Sequence, residues 1–327
     1  MSGGKQSSSQ GVTRREFGRI ALAGVPGSMV LGGLTLEARQ KIQSRIKNVD
    51  LGAITYSFRG ITNPDEIIKA YVTLGLGCME LMSNHAEALA GMPAAPGRGN
   101  RGAQMTPEQQ VAADAAAKAR TEWKRSASAA TWAPVRKKID DAGIALRVLC
   151  YNMNVRTTSD DDIEYGFMMA QGLGVNLMST STQVSMAKRL APFTEKHKVR
   201  VGFHGLNDLD RPDEVSSKET FEAVMAAGKY LGANLDIGHF TAANGDSVAF
   251  IKEHHDRITN LHIKDMKRNG GSYTPFGQGD SPIKEVLQLL SKEKWDIPCS
   301  IEYEYNDPDG TLAAMEKCLK YCKDALA

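Results

Sequence analysis

A single (β/α)8 barrel behind a short leader is the fold class this sequence predicts, and three observations predict it. After residue 45 about 280 residues remain, the usual size of one such barrel. Short apolar runs alternate there with segments repeating at helical spacing, and strands separated by helices pair in parallel. Four successive runs also end on a polar group: Val199 to His204, Ala233 to Asp236, Ile258 to His262 and Pro298 to Glu302. In a closed barrel the C-terminal strand ends surround one spot. His204, Asp236, His262 and Glu302 would therefore converge.

The first segment stands outside that barrel. Thr13-Arg14-Arg15-Glu16-Phe17, then Ile20 to Val25 and Met29 to Leu31, has the order of a twin-arginine leader. The plainer alternative is a disordered basic tail. No tidy A-x-A cleavage site follows the apolar run, so processing in the thirties or forties and retention as an anchor both stay open. The apolar core is short and glycine-rich for a spanning helix. The expected division is a leader over 1–45 and the barrel over 46–327, in a protein that is periplasmic or otherwise exported and meets the membrane only in export.

The barrel elements follow in order. Leu51 to Tyr56 is read as the first strand, Pro64 to Leu74 as a helix capped near Asn63, and Cys78 to Leu81 as the second strand. Ala86 to Gln110 is rich in Gly, Pro, Ala and Arg without periodicity, which suits a lid, a rim or a surface decoration. Trp123 to Ala142 is the next helix, Ala145 to Tyr151 the third strand, Asp160 to Leu173 a helix and Val175 to Thr180 the fourth strand. Helices at Val184 to Lys196, Ser217 to Leu231, Asp246 to His255, Ile283 to Lys292 and Thr311 to Leu326 complete the alternation. Glycines at 77, 143, 174 and 232 punctuate the helix-to-strand junctions, with Gly232 expected as a left-handed helix cap.

Composition narrows the partners. Hydrophobic residues make up 42% of the chain and the net charge is +2, which supplies core material and leaves no basic footprint for nucleic acid. The five cysteines are odd in number and scattered, so buried free thiols are expected rather than a disulfide framework. His254-His255 near a helix end and His197 in a charged run read as solvated side chains. Gly277-Gln278-Gly279 is too short for a phosphate loop, although its place after the seventh strand keeps it as a weak binding candidate.

The chemistry rests on the strand ends. Two imidazoles and two carboxylates make a mixed nitrogen and oxygen site suited to Mn, Zn, Co or Ni rather than Ca. For Asp236 and His239 the plain alternative is a helix-capping Asp and a His bonded to it. Glu80 is read as a substrate group or catalytic acid, or else as a buried salt-bridge partner.

At Leu235 to His239, Leu261 to Asp265, Phe276 to Asp280 and Ser300 to Tyr303 the sequence resembles the xylose isomerase-like TIM barrels, the sugar phosphate isomerase/epimerase group. The resemblance spans roughly Val49 to Ala327 and is strongest after Val199. It implies one divalent ion (Mn, Zn, Co or Mg) held by a Glu, an Asp, a His and a Glu. Asp236, His262 and Glu302 match the last three. His204 stands where Glu is usual, which changes the site charge by one unit and favours softer metals. The resemblance also makes His239 a substrate group and Lys264 and Asp265 rim residues, with a Lys264–Asp265 pair as the plain alternative.

A site of this kind favours proton transfer next to a carbonyl. A hydroxy-ketone would offer adjacent oxygens to the ion, Glu302 would take the α-proton, and His204 or His239 would be the second proton carrier. The expected activity is a metal-dependent sugar isomerase or epimerase. One alternative is a lyase or hydratase on keto-sugars or keto-glycosides; another is a non-catalytic sugar-binding barrel. The expected partner is a small sugar or glycoside, and a homo-oligomer is left open.

Overall fold

The computed structural model describes residues 41–95 and 105–327. The expected leader through residue 40, and residues 96–104 of the expected insertion, lie outside the described residues. Among the described residues nine strands are present: β1 (Arg45–Ile46), β2 (Val49–Ile54), β3 (Cys78–Met82), β4 (Ala145–Cys150), β5 (Leu177–Thr180), β6 (Arg200–His204), β7 (Leu231–Asp236), β8 (Ile258–Ile263) and β9 (Cys299–Ile301). From β2 to β9 each strand pairs in parallel with the next, and β9 pairs back onto β2. The ring is closed, so the eight-stranded parallel barrel is the fold.

β1 is an addition to that ring. It pairs antiparallel with β2 through Lys47 and Asn48, whose φ angles of 44° and 72° give the left-handed pair that a two-residue hairpin turn requires. Just before it, the Ile42 N–H donates to Gly143 O at 2.9 Å, tying the chain to the N-terminal floor of the barrel.

Most of the helices cover the ring because they have one apolar face. The last, Thr311–Leu326, lies where it was expected and buries Leu312, Met315, Leu319 and Leu326 among others. Burying a side chain of that size contributes roughly 2 kcal/mol, so this one face fixes the helix behind the closing strands. All five cysteines are free and buried, and burial pushes the Cys78 thiol up to about 12. Among the described residues no helix is long and apolar enough to cross a membrane.

Three sequence expectations change. Gly232 lies inside β7 rather than capping a helix, because a Cβ there would sit 2.1 Å from Arg257 O. Gly77 likewise lacks room for a side chain, with Ile42 O at 2.2 Å, while the left-handed cap at that junction is Gly75. The helix Pro107–Ser126 runs from within the segment read as aperiodic into the one read as a single helix, and Ala129–Asp141 follows separately. It buries no residue, so it carries no apolar stripe to read. The signal present in the sequence is the capping box, in which Thr106 and Gln109 satisfy each other's backbone N–H groups.

Candidate active site

Side chains alternate along a strand, so residues two apart share one face. On β8 and beyond it, Asn260, His262 and Lys264 follow that rule, as do Glu302 and Glu304 after β9. The short helix Ile237–Ala242 leaves β7 at once, and Asp236 caps it by accepting the His239 N–H at 2.8 Å. The capping reading of Asp236 is therefore correct, and it uses only Oδ1.

The other oxygen faces the predicted cluster. His204, Asp236, His262 and Glu302 each offer one ligand atom, and these four atoms lie within 4.8 Å of one another. His204 Nε2 is 3.5 Å from Asp236 Oδ2 and 3.6 Å from Glu302 Oε2, while His262 Nδ1 is 2.9 Å from Glu302 Oε2. His262 Nε2 points the other way, 2.9 Å from Glu80 Oε2. The four residues named from the sequence are brought together at one mouth of the ring.

Lys264 changes the character of the group. Its ammonium is 2.9 Å from Asp236 Oδ2, 2.8 Å from Glu302 Oε2 and 2.7 Å from Glu304 Oε2. It is buried rather than on the rim, and it does not pair with Asp265. Asp265 in turn accepts the backbone N–H groups of Gly277, Gly279 and Ser281, so it holds the loop after β8, and it does not line the cavity. Those three N–H groups of the loop are thereby taken by Asp265. Glu80 is fully buried below the cavity as a partner of His262, which answers to the salt-bridge reading rather than to the substrate role.

Electrostatics follow from this packing. Burial works against each charged form, yet Lys264 and then His262 hold the Glu302 carboxyl well below the usual range, and Lys264 does the same for Asp236. Glu80 and Glu302 raise His262 well above the ordinary imidazole value. Burial and the neighbouring ammonium push His239 down to about 3 despite Asp236. Its Nδ1 lies 3.2 Å from Asn207 Oδ1 and its Nε2 lies 3.1 Å from Lys264 Nζ. Both ring nitrogens of His239 are thus engaged, whereas those of His204 have no partner.

The residues present fit a divalent ion. Both ring nitrogens of His204 and the Oδ2 of Asp236 are buried without a hydrogen-bond partner, Lys264 lying close to that oxygen but out of line for a bond. Two imidazole nitrogens and two carboxylate oxygens are a donor set for Zn, Mn or Co. Lys264 would compete with such an ion for the same two oxygens.

A cavity of about 400 Å³ opens above the group. Its lining includes His204, His239, His262, Glu302 and Glu304 on one side and Ile54, Met82, Cys150 and Ser181 on the other. Tyr56 and Tyr273 also face it. Sequence reasoning missed Glu304 and the central place of Lys264, although the two-residue period from Glu302 and His262 marks both.

Comparison with known proteins places the sequence signal in this half of the ring. Residues 181–322 match the xylose isomerase-like TIM barrel family. A curated relative, the inosose dehydratase of Lactiplantibacillus plantarum, is 28% identical over 95 residues, covering 23% of this chain and 32% of that protein. The match thus spans about a third of that relative's length. Solved structures share the fold at low identity. The probable 3-DHS dehydratase AsbF of Bacillus anthracis superposes with a TM-score of 0.59 at 14% identity, over 83% of this chain and 99% of that one. The 3-keto-D-glucoside 4-epimerase YcjR of E. coli gives 0.58 at 10%, over 84% and 99%. The IOLI protein, solved with a zinc atom, gives 0.58 at 14%, over 85% and 98%. At these identities the structural likeness is one of fold.

Proposed function

We propose that this protein is a metal-dependent enzyme of the xylose isomerase-like group that moves a proton next to the carbonyl of a keto- or aldo-sugar, giving isomerisation or epimerisation. The observation that carries the proposal is the convergence of His204, Asp236, His262 and Glu302 beneath a cavity of about 400 Å³. A divalent ion held by these four would supply electrophilic polarisation of the carbonyl and offset the charge that develops on its oxygen.

The chain's own groups do the rest. The close contacts of Glu302 with His204, His262 and Lys264 are made by Oε2, which leaves Oε1 for the α-proton. His239 borders the same cavity without belonging to the ligand set, and it takes the part of second proton carrier through its contact with Lys264. Arg211 is the arginine of the lining, and it is already tied to Asp208 at 2.8 Å and Glu214 at 3.7 Å. That pairing supports a substrate without phosphate. The paired Arg14 and Arg15 support export, where neutral sugars and glycosides are met.

A dehydratase or lyase is the second reading, favoured by the match to inosose dehydratase. It shares the proton abstraction by Glu302 and then loses a β-hydroxyl as water with a proton delivered through His239. Incubating 3-keto-glycosides, ketoses and inososes in heavy water, followed by NMR, tests both. Deuterium entering beside the carbonyl, abolished by chelation and by Glu302→Gln, is the expected result; an enone product selects the second reading. Sugar binding without exchange in the metal-loaded protein would contradict catalysis.

A further inference from the structure

Glu80 comes from β3, across the ring from His262, and nothing of it reaches the cavity. We propose that Glu80 is the positioning residue of the metal centre: its carboxylate holds the Nε2–H of His262 and thereby turns the Nδ1 lone pair toward Asp236 and Glu302. The inference rests on the metal-centre reading above and adds to it the group that selects the ligand nitrogen.

An ionised carboxylate only accepts hydrogen bonds. Glu80 Oε1 accepts from the Ser179 hydroxyl, and Oε2 accepts from Asn260 Nδ2 at 3.0 Å and faces His262 Nε2 at 2.9 Å. Side chains of β5 and β8 therefore fix both oxygens before any ion arrives. With an ion bound the imidazole carries one proton, so a proton on Nε2 leaves Nδ1 bare for that ion. Nδ1 is the nitrogen that lies 2.9 Å from Glu302 Oε2 and 3.9 Å from Asp236 Oδ2.

The reverse tautomer would set an imidazole lone pair against a buried carboxylate and aim an N–H at the ion. Asn234 Nδ2 is also 3.2 Å from Nε2, and an amide nitrogen only donates, whereas Asn234 Oδ1 is buried without a partner; turning the amide over brings that oxygen to the Nε2–H and satisfies both. Glu80, which only accepts, makes the choice. A carboxylate behind a ligating imidazole both orients the ring and makes it a better donor to metal.

The test is zinc affinity by chelator competition for wild type, Glu80→Gln and Ser179→Ala, with NMR of the imidazole nitrogens in cadmium-loaded wild type. The expected results are zinc binding weakened about 10- to 100-fold by Glu80→Gln, a smaller loss for Ser179→Ala, and His262 with its proton on Nε2 and cadmium coupling on Nδ1. Wild-type affinity in Glu80→Gln, or a proton on Nδ1, overturns the inference while leaving the metal centre standing. A wild-type protein that binds no ion removes the metal centre and this inference together. Should Glu80→Gln fail to fold, the spectrum of the wild type decides.

Discussion

The two halves of the ring present opposite walls to one cavity. Strands β6 to β9 end on His204, Asp236, His262 and Glu302, whereas the wall from β2 to β5 offers Ile54, Met82, Cys150, Asn152 and Ser181. Glu80 is the charged group that β3 contributes, and it is sealed beneath His262. The family match over residues 181–322 falls on the charged half. The difference teaches that reactive groups sit on one arc of the ring, while the other arc supplies shape and low polarity and is free to follow the substrate.

The strongest way to break that comparison is Glu302→Gln, which keeps size and removes the base. Turnover should fall by about 10²- to 10⁴-fold, the range for loss of a general base, in a sugar-exchange assay. A loss below tenfold would move the base elsewhere.

Lys264→Met sharpens the account of the charged arc. It removes the cation shared by Asp236, Glu302 and Glu304, and stranding buried charges of this kind costs about 3–5 kcal/mol. Thermal unfolding of the chelated variant should show that loss, and added zinc should raise its unfolding temperature by more than it raises that of the wild type.

A pH series on the chelated protein separates the carboxylates from the imidazole. Asp236 and Glu302 are depressed by Lys264, so their contribution is complete above the unfolded carboxylate value near 4 and is lost as the pH falls below it. His262 is raised by Glu80 and Glu302, so its contribution is complete below about 6.5 and is lost as the pH rises through its folded value. The unfolding temperature of the metal-free protein should peak between those limits. Zinc requires His262 neutral, so it should protect most on the alkaline side.

The smallest effect belongs to the neutral wall. Met82→Ala should change kcat/KM by no more than about tenfold, the scale of a few methylenes, chiefly through KM. A drop as large as that of Glu302→Gln would erase the distinction between the two arcs.

The barrel was legible because helix and strand periods alternate, and the four strand-end groups because each closes an apolar run. What the sequence hid has physical causes. Helix Pro107–Ser126 buries nothing, so only its capping box speaks for it. Asp265 looked like a rim group beside Lys264, but its partners are backbone N–H groups of a loop, which leave no residue-type signature. Lys264 and Glu304 were within reach of the two-residue alternation. The closeness of Glu80 to His262 was not, since it depends on ring closure bringing β3 opposite β8.

Crystals equilibrated with zinc and measured at its absorption edge test the central claim most directly. The account predicts one anomalous peak at about 2.0–2.3 Å from His204 Nε2, Asp236 Oδ2, His262 Nδ1 and Glu302 Oε2, with the Lys264 ammonium displaced from at least one of the two carboxylates. Crystals without a peak among these four side chains, and with Lys264 still bridging Asp236 and Glu302, would contradict it.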